Sequence, residues 1–148
     1  MAWGPAKSKH GGKLDLNDLV NPAAPFVIVL TATGALAART DAAAVRLPWN
    51  AVLEQISMTV QSLGGTGLQT AVDVNIATAP GSARATILTA PMSLAYDSAA
   101  GWVTQTPSGG NYAVSSGMIL AIDIDSVPTA ASAGLTVSIF GHKTHVTS

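Results

Sequence analysis

The segment GMILAIDIDSVPTAASAGLTVSIFG, residues 117–141, constrains the fold more tightly than any other part of the chain. Met118, Leu120, Ile122 and Ile124 alternate with smaller or polar residues, and a second apolar run follows a Pro/Ala/Ser turn. Alternation with a period of two is the mark of a strand with one face on a core and the other in water. The same period sends Asp123 and Asp125 to one side of their strand, roughly 6.5–7 Å apart. Those two carboxylates raise the functional question. They are the parts of an active centre, a cation site, or the wetted side of a sheet.

The rest of the chain repeats the β signal. FVIVLTAT (26–33) is dense in β-branched residues, and AAAVRLPWN (42–50) reads as a short strand stopped by Pro48. AVLEQISMTVQSL (51–63) alternates through Ile56, Met58 and Val60; Glu54 falls on the apolar parity, so the inward face is expected to begin after it. GGTG (64–67) is a turn, TAVDVNIAT (70–78) a strand, APGS a second turn and ARATILTAP (83–91) a further strand. Shorter strands joined by Gly/Ser loops fill 91–117, ahead of the opening pair. Only LAARTDAAAV (36–45) competes as a helix, and its β surroundings argue against one. Seven or eight strands predict an all-β protein, a sandwich or a closed barrel, and of the two an antiparallel β-sandwich of jelly-roll type is expected. Residues 1–25 form an extended N-terminal arm, 26–141 the sandwich and 142–148 a C-terminal tail.

Charge narrows the function. Of 148 residues 48% are apolar and only 10% charged, against the usual ~25%. So few charges leave a free monomer poorly solvated and point to a surface partly covered by other chains. The net charge of −1 excludes a domain built as a whole to hold nucleic acid. Lys7, Lys9 and Lys13 lie in the first thirteen residues, which hold no acid; setting that +3 aside leaves −4 on the remaining 135. The arm is therefore basic and the body mildly acidic. With no cysteine there is no disulfide and no thiolate chemistry. FVIVL is too short to span a bilayer, and no signal peptide or membrane segment is read.

Each candidate for chemistry has a plainer explanation. Asp73 and Asn75 repeat the Asp123/Asp125 pattern, and on neighbouring strands the four could converge on Ca²⁺. Alternation alone also accounts for them, and a glycosidase-like acid–base pair would need a raised pKa in a cleft. His142 and His145 are three apart, but zinc needs a larger constellation and only His10 is added elsewhere. There is no G-x-S-x-G elbow; Ser108, Ser115 and Ser116 lie in turns. LGGTGLQT (63–70) lacks the Lys-Ser/Thr ending of a phosphate cradle. No cofactor is implied. Trp102 and Tyr112 form a possible sugar-stacking platform or cap one end of the sandwich. Trp3, in the basic arm, is a candidate interface anchor.

The runs VDVNIATAPGSARATILT (72–89) and SSGMILAIDIDSVPTAASAGLTVSIFG (115–141), with LPWNAVLEQISMTVQSLGGTGLQT (47–70) upstream, resemble a β-sandwich module of tailed-phage structural proteins. The resemblance covers about residues 43–141. It departs from the module's pattern at Met118, where an Asp is usual, and at Pro128, where a Gly is usual. It implies a virion structural role, as a capsid decoration (cement) protein or as a tail or fibre part. A single small domain with a basic arm and no shaft fits the first, a homotrimer clamping major capsid protein on the outer capsid surface after assembly in the host cytoplasm. In that reading the arm binds the capsid through Trp3, Lys7, Lys9, Lys13, Leu14 and Leu16, and no nucleic acid, membrane or enzymatic step is involved. The alternatives are a receptor- or carbohydrate-binding module at a tail tip using Trp102 and Tyr112, and a hydrolase using Asp123 and Asp125.

Overall fold

A computed structural model describes residues 24–99 and 101–144. All but the last two residues of the expected arm, with Trp3, Lys7, Lys9, Lys13, Leu14 and Leu16, lie outside the described residues, as do His10 and His145. The described chain holds ten strands: β1 (Pro25–Ala35), β2 (Arg39–Arg46), β3 (Ala51–Ser62), β4 (Thr70–Ala77), β5 (Arg84–Thr86), β6 (Met92–Leu94), β7 (Trp102–Gln105), β8 (Tyr112–Val114), β9 (Ile119–Ser126) and β10 (Ala133–Lys143). Among the described residues there is no helix, so the Ala-rich 36–45 stretch resolves into a corner and strand β2.

All pairings are antiparallel and make two sheets. One runs β1-β10-β3-β7, with β8 also on β3; the other runs β2-β9-β4-β5, with β6 also on β4. β5 and β6 lie in line along β4, and β7 and β8 in line along β3. Each couple is one strand interrupted by a loop. Counted that way the chain has eight strands in the orders 1-8-3-6 and 2-7-4-5, the arrangement of a jelly roll.

The interruption at 87–91 corrects the strand expected over 83–91. Ile87 and Leu88 are both buried, and two consecutive inward residues cannot sit on one pleated strand. The ladder breaks there; Leu88 N–H is taken by the Thr86 hydroxyl (3.1 Å), and the Ile87 carbonyl accepts from Ser108 N–H (2.7 Å).

The core lies between the sheets. Leu53, Ile56 and Met58 of β3 and Leu135, Val137 and Ile139 of β10 face Val72 and Val74 of β4 and Leu120, Ile122 and Ile124 of β9. The strand period alone would set Leu53 and Ile56 on opposite faces. A bulge resolves this: the register shifts between Phe140 and Gly141, which pair with Gln55 and Leu53, leaving Glu54 as the extra residue. The inward face therefore begins at Ala51, earlier than expected, and Glu54 turns outward. A second shift, between Ala71 and Val72, leaves Asp125 as the extra residue of β9.

Two glycines are fixed by crowding. A Cβ on Gly141 would lie 2.2 Å from the Val52 carbonyl oxygen, and one on Gly64 would lie 2.3 Å from that of Ala130. Gly64 also has φ +82°, which L side chains rarely adopt. Here the 63–69 and 127–132 loops zip together, with Gly65 N–H on the Ala130 carbonyl (2.7 Å) and Thr129 N–H on that of Thr66 (2.9 Å). Beneath them the buried hydroxyls of Thr70 and Ser132 bond to each other at 2.7 Å. The glycines of LGGTGLQT thus serve loop packing.

Gly141→Ala and Gly64→Ala should each destabilise the protein by about 1–3 kcal/mol, because backbone must move to admit the methyl group. Gly81→Ala, where the added Cβ meets open space but φ is +77°, should cost about 1 kcal/mol. Denaturant melts of the three variants check the order.

Candidate functional site

The outward faces of the two sheets differ in chemistry. On the β2-β9-β4-β5 sheet, Asp73 and Asp123 stand opposite each other in register. Two like charges so placed repel, and the surroundings compensate. Asp123 accepts Asp41 N–H (2.8 Å) on Oδ1 and the Asn75 amide (2.6 Å) on Oδ2, while Asp73 accepts its neighbour Val74 N–H (2.8 Å) and the Thr86 hydroxyl (2.5 Å). Arg84 pairs with Asp41, and its Nη1 lies 3.9 Å from Asp123. Asp41 has φ 54°, in the left-handed region that Asp enters more readily than most residues. Its N–H and carboxylate are both held, to Asp123 and Arg84, so the irregularity of β2 between Arg39 and Ala43 is locked by the same cluster.

The condition that β4 and β9 be neighbours is met, which brings Asp73, Asn75 and Asp123 together, but both oxygens of Asp123 and Oδ1 of Asp73 already accept from donors of the protein. Among the described residues no group of three His, Asp or Glu side chains is placed to hold a metal ion. Asp125 stands apart at its bulge. Partial burial, and then the charges of Asp73 and Asp123, raise its pKa above the ordinary 3.8. Beside the cluster is a shallow groove of about 360 Å³ lined by Asp41, Ala79, Ser82, Arg84 and Asp123.

Trp102 and Tyr112 are not brought to one face. Trp102 pairs with outward Thr59 and is 58% exposed; Tyr112 pairs with inward Leu53 and packs half-buried against the core. His142 lies in β10, with its Nδ1 on the Glu54 carboxylate that the bulge turns outward. At the same end Phe26 packs on Trp49 (ring centroids 4.8 Å apart), and the Lys143 ammonium lies 4.7 Å from the centre of the Trp49 ring. Lys143 N–H bonds to the Ala24 carbonyl at 3.0 Å, fixing the point where the preceding segment joins the sandwich.

The other outward face, on the β1-β10-β3-β7 sheet, was missed by reading the sequence strand by strand. Register places Val27, Val29 and Thr31 of β1 beside Phe140, Ser138 and Thr136 of β10, then Gln55, Ser57 and Thr59 of β3, then Thr104 and Trp102 of β7. From Gln55 to Thr59 and across to both edges no residue of this face is charged. Glu54 and His142, paired with each other, occupy one end. Val27, Val29, Phe140 and Trp102 are 40–58% exposed on it. The signal in the sequence was the absence of Lys, Arg, Asp and Glu from the polar-parity positions of these strands.

Because the raised pKa of Asp125 means that the folded state holds its proton more tightly than the unfolded state, ionising it costs stability. Asp125→Asn should therefore stabilise the protein at pH 7, by up to about 0.5 kcal/mol for so exposed a site. The gain should shrink as pH falls and vanish below the ordinary 3.8, where both states are protonated. Thermal melts of parent and variant from pH 3 to pH 7 check the sign.

No protein-family model matches the chain, and no curated protein matches it in sequence. Among solved structures it is similar in fold to a chain of the acid-stable capsid of Helicobacter pylori bacteriophage KHP30, with a TM-score of 0.54, 11% identity, and 84% of this chain and 95% of that one covered. A chain of the cyanophage Pam1 capsid asymmetric unit gives a TM-score of 0.47, 19% identity and coverages of 80% and 86%. The xylan-binding domain CBM22-1 from Paenibacillus barcinonensis gives 0.43, 16%, and 82% and 83%. The first likeness is one of fold: an antiparallel jelly-roll sandwich found in a bacteriophage capsid.

Proposed function

We propose that this chain is a bacteriophage virion structural protein, a decoration protein that forms a trimer on the outer capsid surface and clamps neighbouring major-capsid subunits. The observation that carries the reading is the uncharged outer face of the β1-β10-β3-β7 sheet. A chain with 10% charged residues has few with which to hold its surfaces in water, and this face receives almost none. Its Ser, Thr and Gln side chains supply hydrogen bonds, and Val27, Val29, Phe140 and Trp102 supply apolar contact, the mixture of a specific interface. The jelly-roll fold, shared with a chain of a phage capsid, supplies the setting.

In this role the protein performs no chemistry and takes no cofactor; Asp73, Asp123 and Asp125 belong to the strand face. The partners are further copies of the chain and the major capsid protein, with neither nucleic acid nor membrane involved. The basic arm, with Trp3, Lys7, Lys9, Lys13, Leu14 and Leu16, crosses onto adjoining capsid subunits and pairs with acidic surface there. Three arms on one trimer raise their effective concentration and offset the entropy that each loses on docking.

The double variant Ser57→Lys/Thr136→Lys puts two cations on the uncharged face. It should fold as the parent does, by circular dichroism and melting, while its occupancy on capsids lacking the protein falls about tenfold or more, equivalent to ~1.4 kcal/mol. Removing residues 1–20 should abolish capsid binding and leave the sandwich folded. Full occupancy by both variants in a cosedimentation assay would refute the clamp. Saturable binding to surface glycans with no affinity for capsids would favour the carbohydrate-binding alternative.

A further inference from the structure

The sandwich has four sheet edges, and three carry devices that discourage pairing with another chain. β2 has Arg39, Asp41 and Arg46, and its register shifts between Arg39 and Ala43. The β5/β6 edge is two three-residue pieces, and the β7/β8 edge is pieces of four and three. Short strands, charges and bulges are the ordinary protections of an edge. β1 is neither short nor charged, and its one register shift lies at its far end, between Ala32 and Ala35. It runs eleven residues, PFVIVLTATGA, without a charge, keeps register with β10 from Pro25 to Ala32, and has its one proline at the first position. Among the described residues nothing pairs with its outer side.

We infer that β1 pairs antiparallel with β1 of a second copy about a twofold axis through Ile28. The sequence around that residue is close to a palindrome in side-chain class: Phe26-Val27-Ile28-Val29-Leu30. Antiparallel pairing centred on Ile28 sets Val27 against the second copy's Val29 and Phe26 against its Leu30. Each of these five residues meets an apolar residue on its own face of the sheet, Pro25 meets Thr31, and the two inward faces stay inward. A centre displaced by one residue to Val29 sets Phe26 against Ala32 and Val27 against Thr31, losing the match. No charge opposes the contact on either side, and β-branched cross-strand pairs stabilise such ladders.

Area decides how strong the pair is. Centred on Ile28, the overlap within β1 runs from Pro25 to Thr31, roughly 24 Å, and with a depth of about 10 Å the contact is near a third of the ~800 Å² that a specific interface buries per partner. The pairing is weak between free molecules and forms where copies are held side by side. On a capsid it would tie neighbouring decoration trimers to one another along the edge that borders the clamp face, with Val27 and Val29 common to both. The inference stands on the free chain and does not require that reading.

The absence of cysteine makes the test clean. Full-length Val27→Cys and Val29→Cys variants, both at half-exposed positions and each checked for the parent melt, are oxidised alone and as an equal mixture at about 0.5 mM. Directly opposed residues lie within disulfide range, whereas like residues are two positions out of register and too far apart. The expected result is a mixed 27–29 disulfide forming about tenfold faster than either 27–27 or 29–29. Ala44→Cys, on the protected β2 edge, should crosslink at the slow background rate. Equal rates in the three reactions, or a mixed rate no faster than that of Ala44→Cys, would overturn the pairing and assign the edge to a different strand.

Discussion

The structure depends on keeping one side of every long strand dry. Two sheets share a single apolar layer, and because side chains alternate, a slip of one residue anywhere would turn that layer toward water. The sequence does not alternate perfectly, and the fold absorbs the errors locally. Glu54 and Asp125 are each accommodated as one surplus residue, so that Leu53 and Ile56, or Ile124 and the strand beyond, stay in register with the core. Burial of aliphatic side chains at about 25 cal/mol per Å² outweighs the ladder hydrogen bonds disturbed at such a bulge. The irregularities then become the places where acidic side chains emerge.

How much of this could be read beforehand follows from how local the signal is. β9 and β10 were legible because Leu120–Ile124 and Leu135–Ile139 alternate without fault, and the jelly-roll class followed from strand number and turn spacing. Interrupted strands were less so. Nothing within Ile87-Leu88-Thr89 says that both aliphatic residues turn inward; that depends on the backbone bonds that hold Ile87 to Val74 of β4 and to Ser108 of a distant loop. The glycines at 64–67 announced a turn, but the need for Gly64 lies in Ala130, sixty-six positions away. Parity set Asp73 and Asp123 each on the polar side of its own strand and no more. Their mutual opposition, and the Arg84–Asp41 brace beside them, required the register of β4 on β9.

Charge is sparse in this chain, and the fold distributes it unevenly. The β2-β9-β4-β5 sheet turns outward a braced group of carboxylates that water and a guanidinium can satisfy, whereas the opposite sheet turns outward hydroxyls, amides and a few bulky apolar groups. Desolvating the first would strand several ionised oxygens at a cost of kcal/mol each, and desolvating the second strands none. The asymmetry gives the slab a front and a back.

The bond between Lys143 N–H and the Ala24 carbonyl has a mechanical corollary. The chain enters β1 at the end where β10 leaves, and the two strands are joined along nine residue pairs. Tension applied through residue 24 along the strand axis drags β1 lengthwise past β10, loading those rungs together rather than peeling them one by one. A tether attached there is gripped in shear, the geometry in which a ladder of individually weak links resists force best.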